Sequence, residues 1–259
     1  MNRVSSDRAV QDDVIRALAD APYRASLEWR RRGLADPDRL ERYARFLARH
    51  FYYERVVQFF KYSRALARST GRVPEAVLTG NGFDLLLPSV VLGSRETAQA
   101  VGRLVVAHLA AARAPIPYLG DLLRYEDAMM LVEAGPRAWR DGTAEGAGSG
   151  ERYPPEKVEG TVLLDLQYDL PEVLPKLLGS WTEVPRAPER PTQLLVARSP
   201  HGRVAVARSD AGIAALVQQA DGKRTLEQLA ASAGLPVGTL EATLQGLVEL
   251  GAVRFSTGS

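Results

Sequence analysis

The chain has 259 residues, of which 46% are hydrophobic and 25% charged, and its formal net charge is +2. This length and composition are ordinary for one large or two modest globular domains and argue against a disordered chain. The sequence contains no cysteine, which excludes disulfides, zinc thiolate sites, iron–sulfur clusters and a thiol nucleophile, and fits a cytoplasmic protein.

The N-terminal segment mixes acidic with apolar residues, unlike a signal peptide, and no stretch approaches the ~20 apolar residues of a membrane span. We therefore expect a cytoplasmic protein without membrane contact. Residues 1–72 are basic, with 16 Lys and Arg against nine Asp and Glu. Such a segment is typical of contact with an acidic partner or nucleic acid, and equally of a solvated arginine-rich surface.

The first 140 residues are predicted to form a helical bundle. Apolar residues recur at spacings of three and four over 7–70, and Asp36 and Pro37 supply the N-cap and first turn of a major helix. Further helices are predicted over 94–113 and 117–135, each ended by proline or glycine.

Aromatic side chains are dense in one of these helices, where six of the chain's 18 aromatic residues fall within Phe51–Tyr62. Six rings surround more than one helix face, so some should be exposed, and exposed rings beside arginines are typical of interfaces. The alternatives are a helix buried on several sides and stacking on single-stranded nucleic acid. The candidate partner-interface residues are Tyr52, Tyr53, Arg55, Phe59, Phe60 and Tyr62.

Residues 141–158 are rich in Gly, Ala and Pro, cannot bury much surface, and are predicted to be a flexible loop between domains. Residues 159–259 are predicted to form an α+β domain. Its first part contains a strand over Thr161–Leu166, a short helix near Asp169 and a proline-stiffened linker over Val184–Pro191.

The runs Gln193–Arg198 and Arg203–Arg208 flank Ser-Pro-His-Gly and predict an antiparallel hairpin. Three helices and a strand follow, with a cap at Ser209 or Asp210, a capping box at Thr225 to Gln228, a start at Pro236 or Thr239, and the strand Val253–Phe255. This order is that of a winged-helix-like module. The predicted fold class is mainly α with a small α+β part, an N-terminal helical bundle followed by a C-terminal winged-helix-like module.

The third helix of this module decides between DNA and peptide binding. Pro236–Gly251 contains no Lys or Arg, although phosphate contacts dominate nucleic-acid affinity and base reading needs basic or amide side chains. An extended peptide can instead pair with a free strand edge and lie beside a helix. The alternative is that the hairpin valines only pack in the core and that its arginines are ordinary solvent-exposed surface residues without a binding role. The candidate peptide-binding residues are Arg198, Arg203, Val204, Ala205, Val206, Ala207, Arg208, Leu240, Thr243, Leu244 and Leu247.

Three stretches, Pro115–Met130, Val162–Leu178 and Arg190–Gly212, resemble the partner proteins of multinuclear non-haem iron-dependent oxidases, which include the methanobactin partner subunit. Residues 221–255 are also similar to PqqD-like recognition elements for ribosomally synthesised peptides. The resemblance implies a heterodimer with the oxidase, in which the helical part docks on the enzyme and the C-terminal module binds the precursor leader. It implies iron in the partner enzyme and no cofactor in this chain.

Catalysis by the chain itself has little support in the sequence. His50, His108 and His201 are far apart, no Glu-x-x-His motif is present, and neither a phosphate-binding loop nor a nucleophile elbow occurs. We therefore predict no catalytic, cofactor-binding or metal-binding residue and no nucleic-acid partner. The alternatives are a winged-helix transcriptional regulator with a helical effector domain and a helical metalloenzyme, for which His50 and Glu54 share one helix face.

Overall fold

A computed structural model describes residues 3–32, 36–112, 114–135 and 154–255. The chain divides into two compact units, Met1–Pro115 and Ile116–Ser259. It is mainly helical with a small sheet part, which confirms the coarse fold class predicted from the sequence. No helix in the described ranges is both long and apolar enough to cross a bilayer.

The first unit is mainly helical over its described residues and includes two short 3-10 helices at Pro74–Thr79 and Leu87–Ser89. Its α-helices are α1 (Arg3–Ala19), α2 (Ala21–Ala25), α3 (Leu27–Arg30), α4 (Pro37–Phe59), α5 (Lys61–Ala65), α6 (Ala67–Thr70), α7 (Asn81–Leu86) and α8 (Arg95–Ala110).

The longest helix, α4, begins where the sequence predicts, because the Asp36 carboxylate accepts a hydrogen bond from the Arg39 amide at 2.8 Å and Pro37 occupies the first turn. One face of α4 is buried and contributes Ala44, Ala48, Tyr52, Val56 and Phe59 to the core of this unit. The opposite face lies in solvent, which leaves its side chains free for contacts outside the unit.

The second unit combines helices with two small sheets. Its elements are α9 (Leu119–Glu133), β1 (Pro155–Lys157), β2 (Val162–Leu166), α10 (Leu170–Leu177), β3 (Thr192–Arg198), β4 (Val204–Ser209), α11 (Ala211–Gln219), α12 (Leu226–Ala233), α13 (Val237–Leu250) and β5 (Val253–Phe255). The predicted hairpin, the three helices that follow it and the closing strand are all confirmed.

The larger sheet is antiparallel with strand order β2-β3-β4, and the smaller one pairs β1 with β5. The central strand β3 is buried on both faces. Leu195 and Ala197 join a core with α11, α12 and α13, whereas Leu194 and Val196 face the side on which α9 packs. The other two strands, β2 and β4, are the edges of this sheet.

The three C-terminal helices begin at residues that the sequence identifies. Asp210 caps α11 through the Ile213 amide, and Thr225 with Gln228 forms the predicted capping box of α12. Pro236 precedes α13. These caps fix the starts of the helices that cover one face of the sheet.

The helix α9 belongs to the second unit, although the sequence placed it in a first domain of 140 residues. The Asp121 carboxylate explains the difference, because it accepts hydrogen bonds from the amides of Gln167 and Tyr168 at 2.6 and 3.0 Å, at the end of β2. Asp121 is itself buried. These charge-assisted bonds join α9 to the sheet.

The prediction of a flexible loop over residues 141–158 is wrong at its C-terminal end. Pro155–Lys157 form β1, which pairs with Val253–Phe255 in antiparallel register, and the Lys157 amide donates to the Ala220 carbonyl at 2.7 Å. Residues 141–153 lie outside the described ranges. The predicted linker Val184–Pro191 is irregular, and the Tyr118 hydroxyl donates to its Pro185 carbonyl at 2.7 Å.

The end of α13 passes unusually close to the end of β3. Gly251 has a positive φ of 86°, and a Cβ at this position would lie 2.0 Å from the Arg198 carbonyl oxygen. Only glycine therefore allows this approach. Gly234, at the end of α12, also has a positive φ, of 65°, but a Cβ there would meet no atom within 4 Å.

We expect Gly251→Ala to lower the free energy of unfolding by at least ~3 kcal/mol, because it combines a left-handed backbone with a clash against a main-chain atom. The matched variant Gly234→Ala should lose only about 1–2 kcal/mol, since it carries the backbone cost alone. Urea unfolding followed by circular dichroism measures both. Equal losses would contradict the close approach of α13 to β3.

Candidate functional site

The turn between β3 and β4 fixes how these two strands pair. The Ser199 amide donates to the Arg203 carbonyl, and the Gly202 amide donates to the Ser199 carbonyl, each at 2.8 Å. Gly202 has a positive φ of 78°, which glycine adopts without strain. This is the three-residue loop in which a turn is followed by a glycine bulge, so Ser199 and Arg203 form a hydrogen-bonded pair.

From that pair, the direction of every amide in β4 follows. Residues opposite each other in antiparallel strands alternate between hydrogen-bonded and non-hydrogen-bonded pairs. Ala205 opposite Ala197 and Ala207 opposite Leu195 therefore direct their N–H and C=O groups towards β3. Val204, Val206 and Arg208 direct theirs away from it, towards the free edge.

The same register assigns side chains to the two faces of β4, because directly opposite residues share a face. Ala205 and Ala207 lie on the face of Ala197 and Leu195, where α11 and α13 adjoin the strand. Val204, Val206 and Arg208 lie on the other face. The free edge of β4 therefore has small side chains on the face next to α13.

Arg198, which the sequence included in the peptide site, is committed to α9. Its guanidinium donates to the Glu133 carbonyl at 2.6 Å and lies 3.6 Å from the Glu133 carboxylate. Only 12% of its side chain is exposed. Arg198 therefore closes the hydrogen bonding at the C-terminal end of α9, and its assignment to the peptide site is wrong.

Arg208 is also committed, to a carboxylate that sequence reasoning did not single out. Asp169 is fully buried and accepts hydrogen bonds from Arg208, at 2.5 Å, and from Arg190. Burial by itself raises the pKa of Asp169, but the hydrogen bonds and charges of the two arginines outweigh it and hold the pKa below its usual value. The Arg208 guanidinium is therefore directed across the sheet, away from the free edge.

Arg203 is the one arginine of the three without an ionic partner among the described residues. Its amide donates a 3.3 Å hydrogen bond to the Ser199 hydroxyl, and its side chain is exposed. It continues the face of Ala205 and Ala207 towards the turn. The positive charge available at this edge is therefore concentrated at one end of β4.

The three leucines assigned to the peptide site from α13 are core residues. Leu240, Leu244 and Leu247 are buried in the cluster formed with β3, α11 and α12, so their placement on a binding surface is wrong. Thr243 is half-buried, and its hydroxyl donates to the Thr239 carbonyl at 3.0 Å. Helical spacing identified the apolar stripe of α13 but could not distinguish its core side from a groove.

The exposed face of α13 carries no positive charge. Its solvent-facing residues are Gly238, Thr239, Ala242, Gln245, Gly246 and Glu249. A helix that enters the major groove needs basic side chains for the phosphates and donors for the base edges. This surface does not supply them, which disfavours DNA reading by α13.

In the first unit, half of the predicted interface residues lie in the core. Tyr52, Phe59 and Phe60 are buried, and burial raises the pKa of Tyr52 to about 12. Their assignment to a partner interface is wrong, because the aromatic segment turns one face into the unit. Tyr53 is exposed, and Arg55 and Tyr62 are half-exposed.

The exposed aromatic surface instead lies one to two turns earlier on α4. Tyr43 and Phe46 are 53% and 60% exposed, their rings stack at 6.3 Å, and Phe46 stacks on His50 at 6.0 Å. With Tyr53 they follow spacings of three and four along one helix face. The sequence contains this spacing, but the same spacing also describes a core-facing helix.

An apolar groove lies beside this aromatic face, between α1 and the first half of α4. Its lining residues are Val14, Leu18, Leu40, Tyr43 and Phe46, together with Asp36, Arg39 and Arg42. Arg39 and Arg42 are exposed, and neither has an ionic partner within the described ranges. We call this surface the α1–α4 groove.

The histidines provide no metal centre within the part of the chain that the structure describes, where no three His, Asp or Glu side chains come together. His50 lies 3.4 Å from Glu54, and both are exposed. His108 contacts Arg72 at 3.2 Å, and burial followed by the Arg72 charge lowers its pKa. His201 lies in the exposed hairpin turn.

In comparison with known proteins, no family model matches this chain and no curated protein sequence matches it. The resemblance to oxidase partner proteins therefore remains an expectation from the sequence.

Hydrogen exchange tests the assigned direction of the β4 amides. Ala205 and Ala207 donate towards β3, so their amides should exchange at least on the order of 100-fold more slowly than those of Val204, Val206 and Arg208. NMR of the nitrogen-15-labelled protein resolves each amide. Slow exchange at Val206 together with fast exchange at Ala205 would contradict the pairing.

Asp169→Asn should lower the free energy of unfolding at pH 7 by about 2 kcal/mol, since two charge-assisted bonds are weakened but both arginines are more than half exposed. Because the pKa of Asp169 is lower in the folded protein, the wild-type advantage is complete above the unfolded carboxyl pKa of about 3.9. It should shrink as the pH falls further. Urea unfolding at pH 7, 5 and 3 measures the difference in unfolding free energy between wild type and Asp169→Asn. A difference that stays the same at all three pH values would contradict the ion pairs.

Proposed function

We propose that this chain is a non-catalytic partner subunit that binds an iron-dependent peptide-modifying oxidase and recruits the leader of a ribosomally synthesised precursor. The observation that carries the proposal is the free edge of β4, where Val204, Val206 and Arg208 direct their main-chain hydrogen-bonding groups outwards. In this proposal the second unit is a winged-helix-like recognition module, the protein is cytoplasmic, and iron belongs to the oxidase.

Main-chain pairing suits the recruitment of a leader peptide. An edge strand offers donors and acceptors to any extended segment, and neighbouring pockets then select among side chains. β4 presents three residues with outward groups, whereas β2 presents two, Leu163 and Asp165, by the same alternation. The α11 and α13 helices adjoin β4 on one face, beside its free edge. These features favour β4 over β2 as the site of strand addition.

Absence of positive charge on the exposed face of α13 supports peptide over DNA as the occupant. Strand addition needs no basic surface, since main-chain hydrogen bonds supply the attraction. The alternative, a transcriptional regulator, would require basic side chains on that helix. We therefore assign the module to leader binding.

In the first unit, the α1–α4 groove is the surface that we assign to the oxidase. Exposed aromatic rings and arginines are enriched in interfaces, and Tyr43, Phe46, Arg39 and Arg42 combine both. Because the two arginines lack ionic partners within the described residues, the complementary surface is apolar at its centre and acidic at its rim. We expect the oxidase to present such a surface.

Val206→Pro tests leader recruitment. It removes an outward N–H and places a ring in the path of an added strand, while the bonds of β4 to β3 survive because proline is tolerated on edge strands. Leader affinity, measured by fluorescence anisotropy with the labelled precursor leader, should fall at least ~10-fold, and oxidase binding should persist.

The matched control is Asp165→Pro, which places a proline at an outward position of the opposite edge, β2. It should leave leader affinity unchanged. Loss of binding in Asp165→Pro but not in Val206→Pro would move the site to β2. Failure of the wild-type protein to bind the leader at all would refute recruitment.

Replacing both Tyr43 and Phe46 by alanine tests docking of the oxidase. Truncation of two central rings in an interface should weaken binding by about 2 kcal/mol, or roughly 30-fold. The measurement is co-purification and isothermal titration with a multinuclear non-haem iron oxidase from the same organism. Leu85→Ala, which truncates another exposed apolar side chain of the first unit, should bind normally. Equal binding by both variants would place the interface elsewhere.

A further inference from the structure

We propose that the segment that pairs with β4 is an antiparallel peptide of the order apolar, any, apolar, any, acidic, with the acidic side chain beside Arg203 and the apolar ones beside Ala207 and Ala205. This inference rests on the proposed function and specifies its ligand. It follows from the register, the assignment of faces and the ionic partners of the arginines.

The acidic position follows from elimination among the arginines near β4. Arg198 binds Glu133 and Arg208 binds Asp169, so neither guanidinium is available at the free edge. Arg203 is exposed and, among the described residues, has no carboxylate within ion-pair distance. A carboxylate on the added strand that lies directly opposite Arg203 would be its nearest counter-ion.

The apolar positions follow from the alanines. Ala205 and Ala207 share the face of Arg203 and extend by a single methyl group, which leaves space above them for larger side chains of an added strand. The core next to this face includes the partly buried residues Ile213 on α11 and Val237 on α13. Apolar side chains at these two positions would cover surface that is now only partly buried.

The direction follows from the chain order of β4. Antiparallel pairing is slightly more stable per residue than parallel pairing. β4 and its turn run from Arg203 to Ser209, so an antiparallel peptide meets Ala207 first, Ala205 two residues later and Arg203 last. The two intervening peptide residues point to the opposite face, where Val206 and Val204 lie, and are less constrained.

A random nine-residue peptide library displayed on phage, selected against the full-length protein, tests this order. Wild type should enrich apolar residues at two alternate positions and Asp or Glu two residues after the second. Arg203→Glu should exchange the acidic preference for Lys or Arg at that same position, and Arg203→Gln should abolish it. Lys223→Glu, which reverses another exposed charge of the same unit, should leave the enrichment unchanged.

Ala207→Val tests the apolar position separately. A larger side chain on the same face should shift the first enriched residue from large apolar side chains to Ala or Ser. In a binding assay, a synthetic peptide of the enriched sequence should lose roughly 3- to 5-fold in affinity when its acid is replaced by the amide, and Arg203→Gln should bind both peptides equally.

Three results would overturn the inference. The first is enrichment without an acid, the second is an acidic preference that survives in Arg203→Glu, and the third is the reversed order, which indicates parallel addition. Failure of the proposed function is distinguishable, because it would appear as enrichment that persists in Val206→Pro or as no enrichment in wild type. A leader that binds through Val206 without the acidic preference overturns only the specificity proposed here.

Discussion

The alternation of main-chain hydrogen bonds along β3 and β4 is the constraint on which the site depends. The loop between Ser199 and Arg203 sets its phase, because the Gly202 bulge makes that pair a hydrogen-bonded one. One residue more or less in this loop would exchange inward with outward groups and move Ala205 and Ala207 to the opposite face. The outward-facing groups of β4, the face on which its alanines lie and the position of Arg203 therefore all follow from this one turn.

The surroundings of the hairpin hold that phase in place. β3 is buried on both faces, so a slip by one residue would expose part of two cores. At one end, Gly251 lets α13 approach the Arg198 carbonyl, and Arg198 reaches Glu133. At the other end, the buried Asp169 binds Arg208 across the sheet. The residues that hold the hairpin in register therefore differ from the residues exposed at the free edge of β4.

Sequence patterns predicted the elements well because caps, turns and periodicity are local. Asp36, Asp210 and the Thr225–Gln228 box begin helices where expected, and Ser-Pro-His-Gly turns the hairpin. Partners distant in sequence were not predictable in this way. No local signal indicates that Asp169 binds Arg190 and Arg208, that Asp121 joins α9 to the sheet, or that Pro155–Lys157 pair with β5.

For the candidate site, residue type and spacing led to the proposal of β4 as the pairing strand, but they did not separate buried side chains from exposed ones. Apolar spacing is the same for a core stripe and a binding stripe, so Leu240 and Leu244 were assigned to the binding surface although they are buried, and the exposed Tyr43 and Phe46 were not among the predicted interface residues. Likewise, an arginine near a strand edge looks the same whether or not it has an ionic partner. Only the folded structure shows that Arg198 and Arg208 have carboxylate partners, whereas Arg203 has none among the described residues.

The central claim is that an extended peptide completes the sheet at β4. Hydrogen exchange of the complex with the precursor leader tests it most directly, because an added strand must protect the outward amides. We expect the amides of Val204, Val206 and Arg208 to become protected on leader binding, while those of Leu163 and Asp165 on β2 do not change. Protection at β2, or leader binding that leaves the β4 amides unprotected, would contradict it.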